Sequence, residues 1–126
     1  MAIIQDKIKD FTQLIVWQKG HALVLLIYCE TGKFPKSEVY ALTSQMRRAA
    51  VSITSNIAEG FSRRSPKEKI QFYSMSLGSL TELQNQCIIS QDIKYIAESD
   101  VQKILPRVIE IHKMLNGLIK SIKLIK

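Results

Sequence analysis

LTSQMRRAAVSITSNIAEGFSRRSPKE, residues 42–68, holds one amphipathic helix and the signal that starts the next. At helical periodicity Met46, Ala50, Ile53, Ile57 and Phe61 share one side. Arg48, Ser52, Ser55, Glu59 and Arg63, with Gln45 and Asn56 at the edge, fall within about 100° of one another on the other side. One face is built to pack, and the other presents charges and small polar groups. Glu59 and Arg63 have the spacing of an i,i+4 pair. Arg48 and Glu59 lie on the same face but about 16 Å apart along the axis, so at least one is expected to pair with another helix or another subunit. Gly60 closes the apolar pattern. Ser65, Pro66 and Glu68 then restart the chain as a capping box, with serine as N-cap and proline at the first helical position.

Working outward, prolines and glycines divide the chain into four apolar-periodic segments, and none shows the sustained alternation of a strand. The fold class is all-α, an antiparallel up-down four-helix bundle in one domain, residues 1–126. The first segment, about 12–32, carries Leu14, Trp17, His21, Leu25 and Tyr28 on one stripe, while Leu23, Leu26 and Ile27 make it apolar nearly all round. A four-helix bundle has no central member to use such a helix, so self-association is expected. The GKFP turn, residues 32–35, should end this helix through a left-handed Gly32 followed by Pro35. The third segment places Ile70, Tyr73, Leu77, Leu80, Gln84 and Cys87 inward, with Phe72 and Leu83 on a second edge. Ser99 and Gln102 suggest a weaker box for the fourth, whose Ile104, Val108, Ile111, Leu115, Leu118 and Ile122 continue to the C-terminus. Pro106 should kink that helix or delay its start.

The chain is 126 residues long with a formal net charge of +7, a balance that favours polyanionic partners. The basic excess lies in residues 34–64 and 96–126, whereas 65–95 balance. In an up-down bundle the end of helix two, the start of helix three and the end of helix four share one rim. Arg63, Arg64, Lys67 and Lys69 would meet Lys120, Lys123 and Lys126 there as a candidate nucleic-acid-binding patch. Lysines near a helix C-terminus also favour its dipole without any ligand. The N-terminal MAIIQDKIKD lacks a signal-peptide core, and the longest apolar run, 22–29, is too short to span a membrane. Cys29 and Cys87 sit in apolar helical patterns and read as buried, reduced thiols, which points to the cytoplasm.

Nothing here resembles a catalytic constellation, and no cofactor is expected. His21 and His112 lie on different segments without metal-ligand spacing, and no glycine-rich phosphate loop occurs. His21 and Cys29 are about 12 Å apart along one helix, too far to act as base and nucleophile. Trp17 and Tyr40 have the chemistry of base-stacking platforms, although a lone tryptophan on a helix stripe is more often a packing anchor.

VWQK at 16–19, FPKSEVYALTSQMRRAAVSI at 34–53, SNIAEG at 55–60 and GSLTEL at 78–83 together resemble a four-helix-bundle family, some of whose members are encoded in intervening sequences of the bacterial large ribosomal RNA gene. The likeness spans essentially the whole chain in order and spacing. It implies a ring-like homopentamer, and a similar fold serves as the basic accessory protein of diversity-generating retroelements, which works with a reverse transcriptase and contacts nucleic acid. Two positions depart from the usual pattern: Thr54 stands where proline is common, and Gly20 where alanine follows VWQK. The expectation is a non-enzymatic basic oligomer that binds RNA or DNA with little sequence preference, beside a partner protein. Trp17, Arg48, Ser52, Asn56 and Glu59 are the candidate oligomer-interface residues. The alternative is a protein-interaction scaffold that binds no nucleic acid.

Overall fold

The computed structural model describes residues 8–125; the reading of residues 1–7 and the tail residue Lys126 fall outside them. The four helices are α1 (Ile15–Thr31), α2 (Leu42–Ser62), α3 (Pro66–Asp92) and α4 (Glu98–Ile125), with short 3-10 turns at Phe11–Gln13 and Lys36–Glu38. There is no strand among the described residues. Each helix packs on its sequence neighbours and α4 closes against α1, while the diagonal pairs do not meet. Cross-links run in opposite directions along neighbouring helices. Met46 meets Ser90 while Ile53 meets Ser76, and Thr31 meets Arg47 while Gly20 faces Thr54. The bundle is therefore antiparallel throughout, as short connections require.

The core is the stack of Leu23 and Ile27 from α1, Met46, Ile53 and Ile57 from α2, Leu80 and Leu83 from α3, and Ile104, Ile111 and Leu115 from α4, all fully buried. Each such side chain contributes roughly 1.5–3 kcal/mol through burial. The inward face expected for α2 is the observed one, except that Phe61 is only partly covered. On α3 Tyr73, Leu80 and Cys87 are buried as expected and Ile70 and Leu77 partly so; Gln84 is exposed instead, Leu83 of the second edge is fully buried, and Ser76, Ser79, Gln86 and Ser90 widen the buried face. Small hydroxyls there return their protons to backbone carbonyls, Ser76 to Ile53 and Ser90 to Gln86, which lets the two helices approach closely.

Helix ends depart from expectation in three places. Gly32 is right-handed (φ −62°), so α1 ends in a run of tight turns before Pro35 rather than through a left-handed glycine. α4 already begins at Glu98, which places Ser99 inside the helix instead of at its cap. The helix also passes through Pro106, so the proline does not delay its start. Pro106 is exposed, as is Gln102, the residue whose carbonyl loses its partner, so water can satisfy that oxygen. Ser65 caps α3 by accepting the Glu68 amide at 3.4 Å, with Pro66 in the first turn; the returning bond from the Ser65 amide to the Glu68 carboxylate is not made, so only the serine half of the expected box forms.

Candidate nucleic-acid interface

The end of the bundle where α2 stops and α3 starts carries the expected cations, but the structure divides them into two kinds. Arg63 lies 2.7 Å from Glu59 and stacks over the Phe72 ring at 4.7 Å. Lys69 donates to the last carbonyls of α2, those of Gly60 and Phe61, at 3.2 and 2.9 Å, and partial burial lowers its pKa from the usual lysine value. Both side chains close the α2–α3 corner, Arg63 by reaching across to the Phe72 ring and Lys69 by satisfying helix-end carbonyls that would otherwise be orphaned. Arg64 and Lys67 are exposed and have no carboxylate partner among the described residues, and the same holds for Lys120 and Lys123 near the end of α4. The topology brings these four to one end of the molecule.

The interface residues proposed on α2 also separate. Ser52 exchanges a 2.7 Å hydrogen bond with Ser79, and Asn56 donates to the Ser52 carbonyl and hydroxyl. Ser52 thus links α2 to α3 within one chain, and Asn56 braces it from the next turn of α2. Glu59 takes the i,i+4 partner Arg63 on its own helix. Arg48 is exposed, with no carboxylate near it among the described residues.

On α1 the stripe of Leu14, Trp17, His21, Leu25 and Tyr28 faces away from the bundle core. The bundle buries Val16, Gly20, Leu23 and Ile27. Leu14 and Trp17 are partly covered, while His21, Leu25 and Tyr28 are exposed, Leu25 by 58%. Trp17 stacks on His21 with ring centres 4.8 Å apart and meets Phe11 edge-on. Sequence periodicity identified two apolar stripes correctly but not which one the chain itself covers.

A further feature was not read from the sequence. Tyr28 of α1, Val39 and Tyr40 of the connecting loop, and Thr43, Ser44, Arg47, Arg48, Val51, Ser52 and Ser55 of α2 line an open groove of about 770 Å³. Arg47 ties its walls together: its Nε donates to the Thr31 hydroxyl at 2.9 Å, and its guanidinium lies 4.6 Å over the Tyr28 ring. The RR pair was visible as charge, but only the antiparallel register of α1 on α2 brings Tyr28 beside it. No cluster of metal-ligating side chains exists among the described residues, and no helix is long and apolar enough to cross a membrane.

These features define an up-down four-helix bundle with unpaired cations at one end and an uncovered apolar stripe on its first helix. The chain belongs to the family of 23S rRNA-intervening sequence proteins, which matches residues 12–117. Among solved structures it is similar to a protein of unknown function from the S23 ribosomal protein family of Bacteroides thetaiotaomicron. The two share 21% identity and a TM-score of 0.78 over 84% of this chain and 96% of that one, which supports the fold. Comparison with curated proteins gives no match.

Proposed function

We propose that this chain is a non-enzymatic helical adaptor that associates with copies of itself and binds the phosphate backbone of RNA or DNA with little sequence preference, beside a partner protein. The observation that carries the reading is the set of unpaired cations at one end of the bundle, Arg64, Lys67, Lys120 and Lys123, in a chain of net charge +7. The capped start of α3 between Arg64 and Lys67 adds favourable potential for a phosphate. Arg63 and Lys69 support this end structurally. Contacts of this kind position the backbone without reading bases, and repeated copies in an oligomer would add avidity.

Mobility-shift titration tests it. Changing Arg64 and Lys67 together to alanine should weaken binding to both polymers and lower the salt slope by about two for duplex DNA. A parent protein that binds neither polymer at low salt, or a double variant that matches the parent, removes the proposal. The scaffold reading would then stand on the exposed stripe of α1, which favours a protein partner whatever the cations do.

A further inference from the structure

The groove at the other end of α2 is distinct from these cations: Arg48 precedes Arg63 by about 22 Å of helix. We infer that this groove holds an unpaired base and its phosphate, so that the protein retains single-stranded nucleic acid more tightly than duplex. The inference rests on the nucleic-acid binding proposed above and gives it a second, strand-selective site.

Charge selects the class of occupant. The lining contains two arginines and no carboxylate. Glu38, the nearest acid in sequence to the loop, is turned to other work, accepting the Leu42 amide at 3.3 Å and the Tyr95 hydroxyl at 3.1 Å. Arg47 is committed to the end of α1, which leaves Arg48 as the cation free to take a phosphate. The first turn of α2 strengthens that field. Ala41 caps it without a side-chain bond, and the amides of Thr43 and Ser44 find no partner among the described residues. Thr43 and Ser44, in the first turn of this 21-residue helix, line the groove together with Arg48, one turn on from Ser44.

Aromatic surface selects the base. Tyr40 is 95% exposed, so its ring is open to an incoming flat partner, and Tyr28 adds a second, partly exposed ring with the Arg47 guanidinium over one of its faces. A base stacks on such rings whatever its identity, provided that it is not already paired in a duplex. The Ser44 and Ser55 hydroxyls lie in the same lining as further hydrogen-bonding groups. The volume is within the range of sites that take small ligands, and the open shape suits a strand that passes through.

The test measures binding of a labelled oligothymidylate and of a duplex of equal length, for the parent and for Tyr40→Ala, Tyr40→Phe and Arg48→Ala, with the sedimentation mass of each protein recorded alongside. Tyr40 packs against so little that its variants should fold. The expected result is a single-strand preference in the parent and an approximately tenfold loss on the single strand alone for Tyr40→Ala, with affinity retained by Tyr40→Phe. Arg48→Ala should weaken single-strand binding and lower its salt slope by about 0.7. Equal losses on both polymers, or none on either, overturn the inference while leaving nucleic-acid binding intact. Reduced mass with unchanged single-strand affinity also overturns it and assigns the groove to a second copy of the chain. A parent that binds neither polymer fails the proposed function itself.

Discussion

A β-carbon on Gly60 would sit 2.6 Å from the Tyr73 ring, which is buried and cannot swing away. The sequence marks Gly60 as a helix-ending residue, yet its role is to let α3 lie against α2. Gly60→Ala should therefore destabilise the fold by about 1–3 kcal/mol, read as a lower denaturation midpoint. Gly20 and Thr54, the two departures from the family pattern, prove to be neighbours: a Gly20 β-carbon would lie 3.0 Å from the Thr54 methyl group. Removing that methyl should release the conflict. Gly20→Ala is expected to stabilise a Thr54→Ser background by about 1 kcal/mol, the helix-propensity gain, and the parent by clearly less, a coupling that a double-mutant cycle measures. Cys87 is a third residue whose behaviour follows from its site. Burial pushes its pKa from 9.0 up to about 12, so at about pH 8 its thiol should resist a thiol reagent until the protein unfolds; Cys29, expected to be buried as well, is exposed because it lies off the stripe of α1 that the bundle covers. Because the unfolded chain releases this proton first, the same burial should erode stability as the pH rises above about 9.

At the scale of elements, the four helices were legible because apolar spacing and the Ser65-Pro66 start are local signals. Helix ends were less so, since they depend on how neighbouring turns find hydrogen-bond partners. Beyond the end of α3, Lys94 takes a left-handed position at φ 69°, with the Tyr95 amide bonded to the Ser90 carbonyl and the Lys94 amide to that of Gln91. This is the Schellman arrangement with lysine where glycine is usual. No sequence signal announces it. Lys94→Gly should stabilise the protein by about 1 kcal/mol by removing left-handed strain. The exposed Pro106 in α4 offers the opposite lesson, a breaker overridden by the packing of Ile104, Val108 and Ile111 on either side of it. The basic corner was legible as composition. Only tertiary geometry divides it into Arg63 and Lys69, which hold the α2–α3 connection, and Arg64 and Lys67, which remain available.

For the whole molecule, the decisive question is what covers the outer face of α1. The bundle uses one stripe of that helix and leaves Leu25 exposed beside the Trp17–His21 stack. Leaving such a stripe in contact with water is unfavourable, so association is the expected outcome. Periodicity could reveal that the helix has two apolar faces. It could not say which face a separate chain would meet, because that depends on the side chosen by α2 and α4. Leu25→Asp separates assembly from folding, since the residue is exposed within its own bundle and its replacement costs the monomer little. Sedimentation of the parent should give a mass several times that of one chain and stable to dilution. The Leu25→Asp protein should sediment as a smaller species while retaining its helical signal and a cooperative thermal transition. A parent that is monomeric at all concentrations would leave the stripe to a different partner. A variant that unfolds rather than dissociates would show that Leu25 supports the bundle itself.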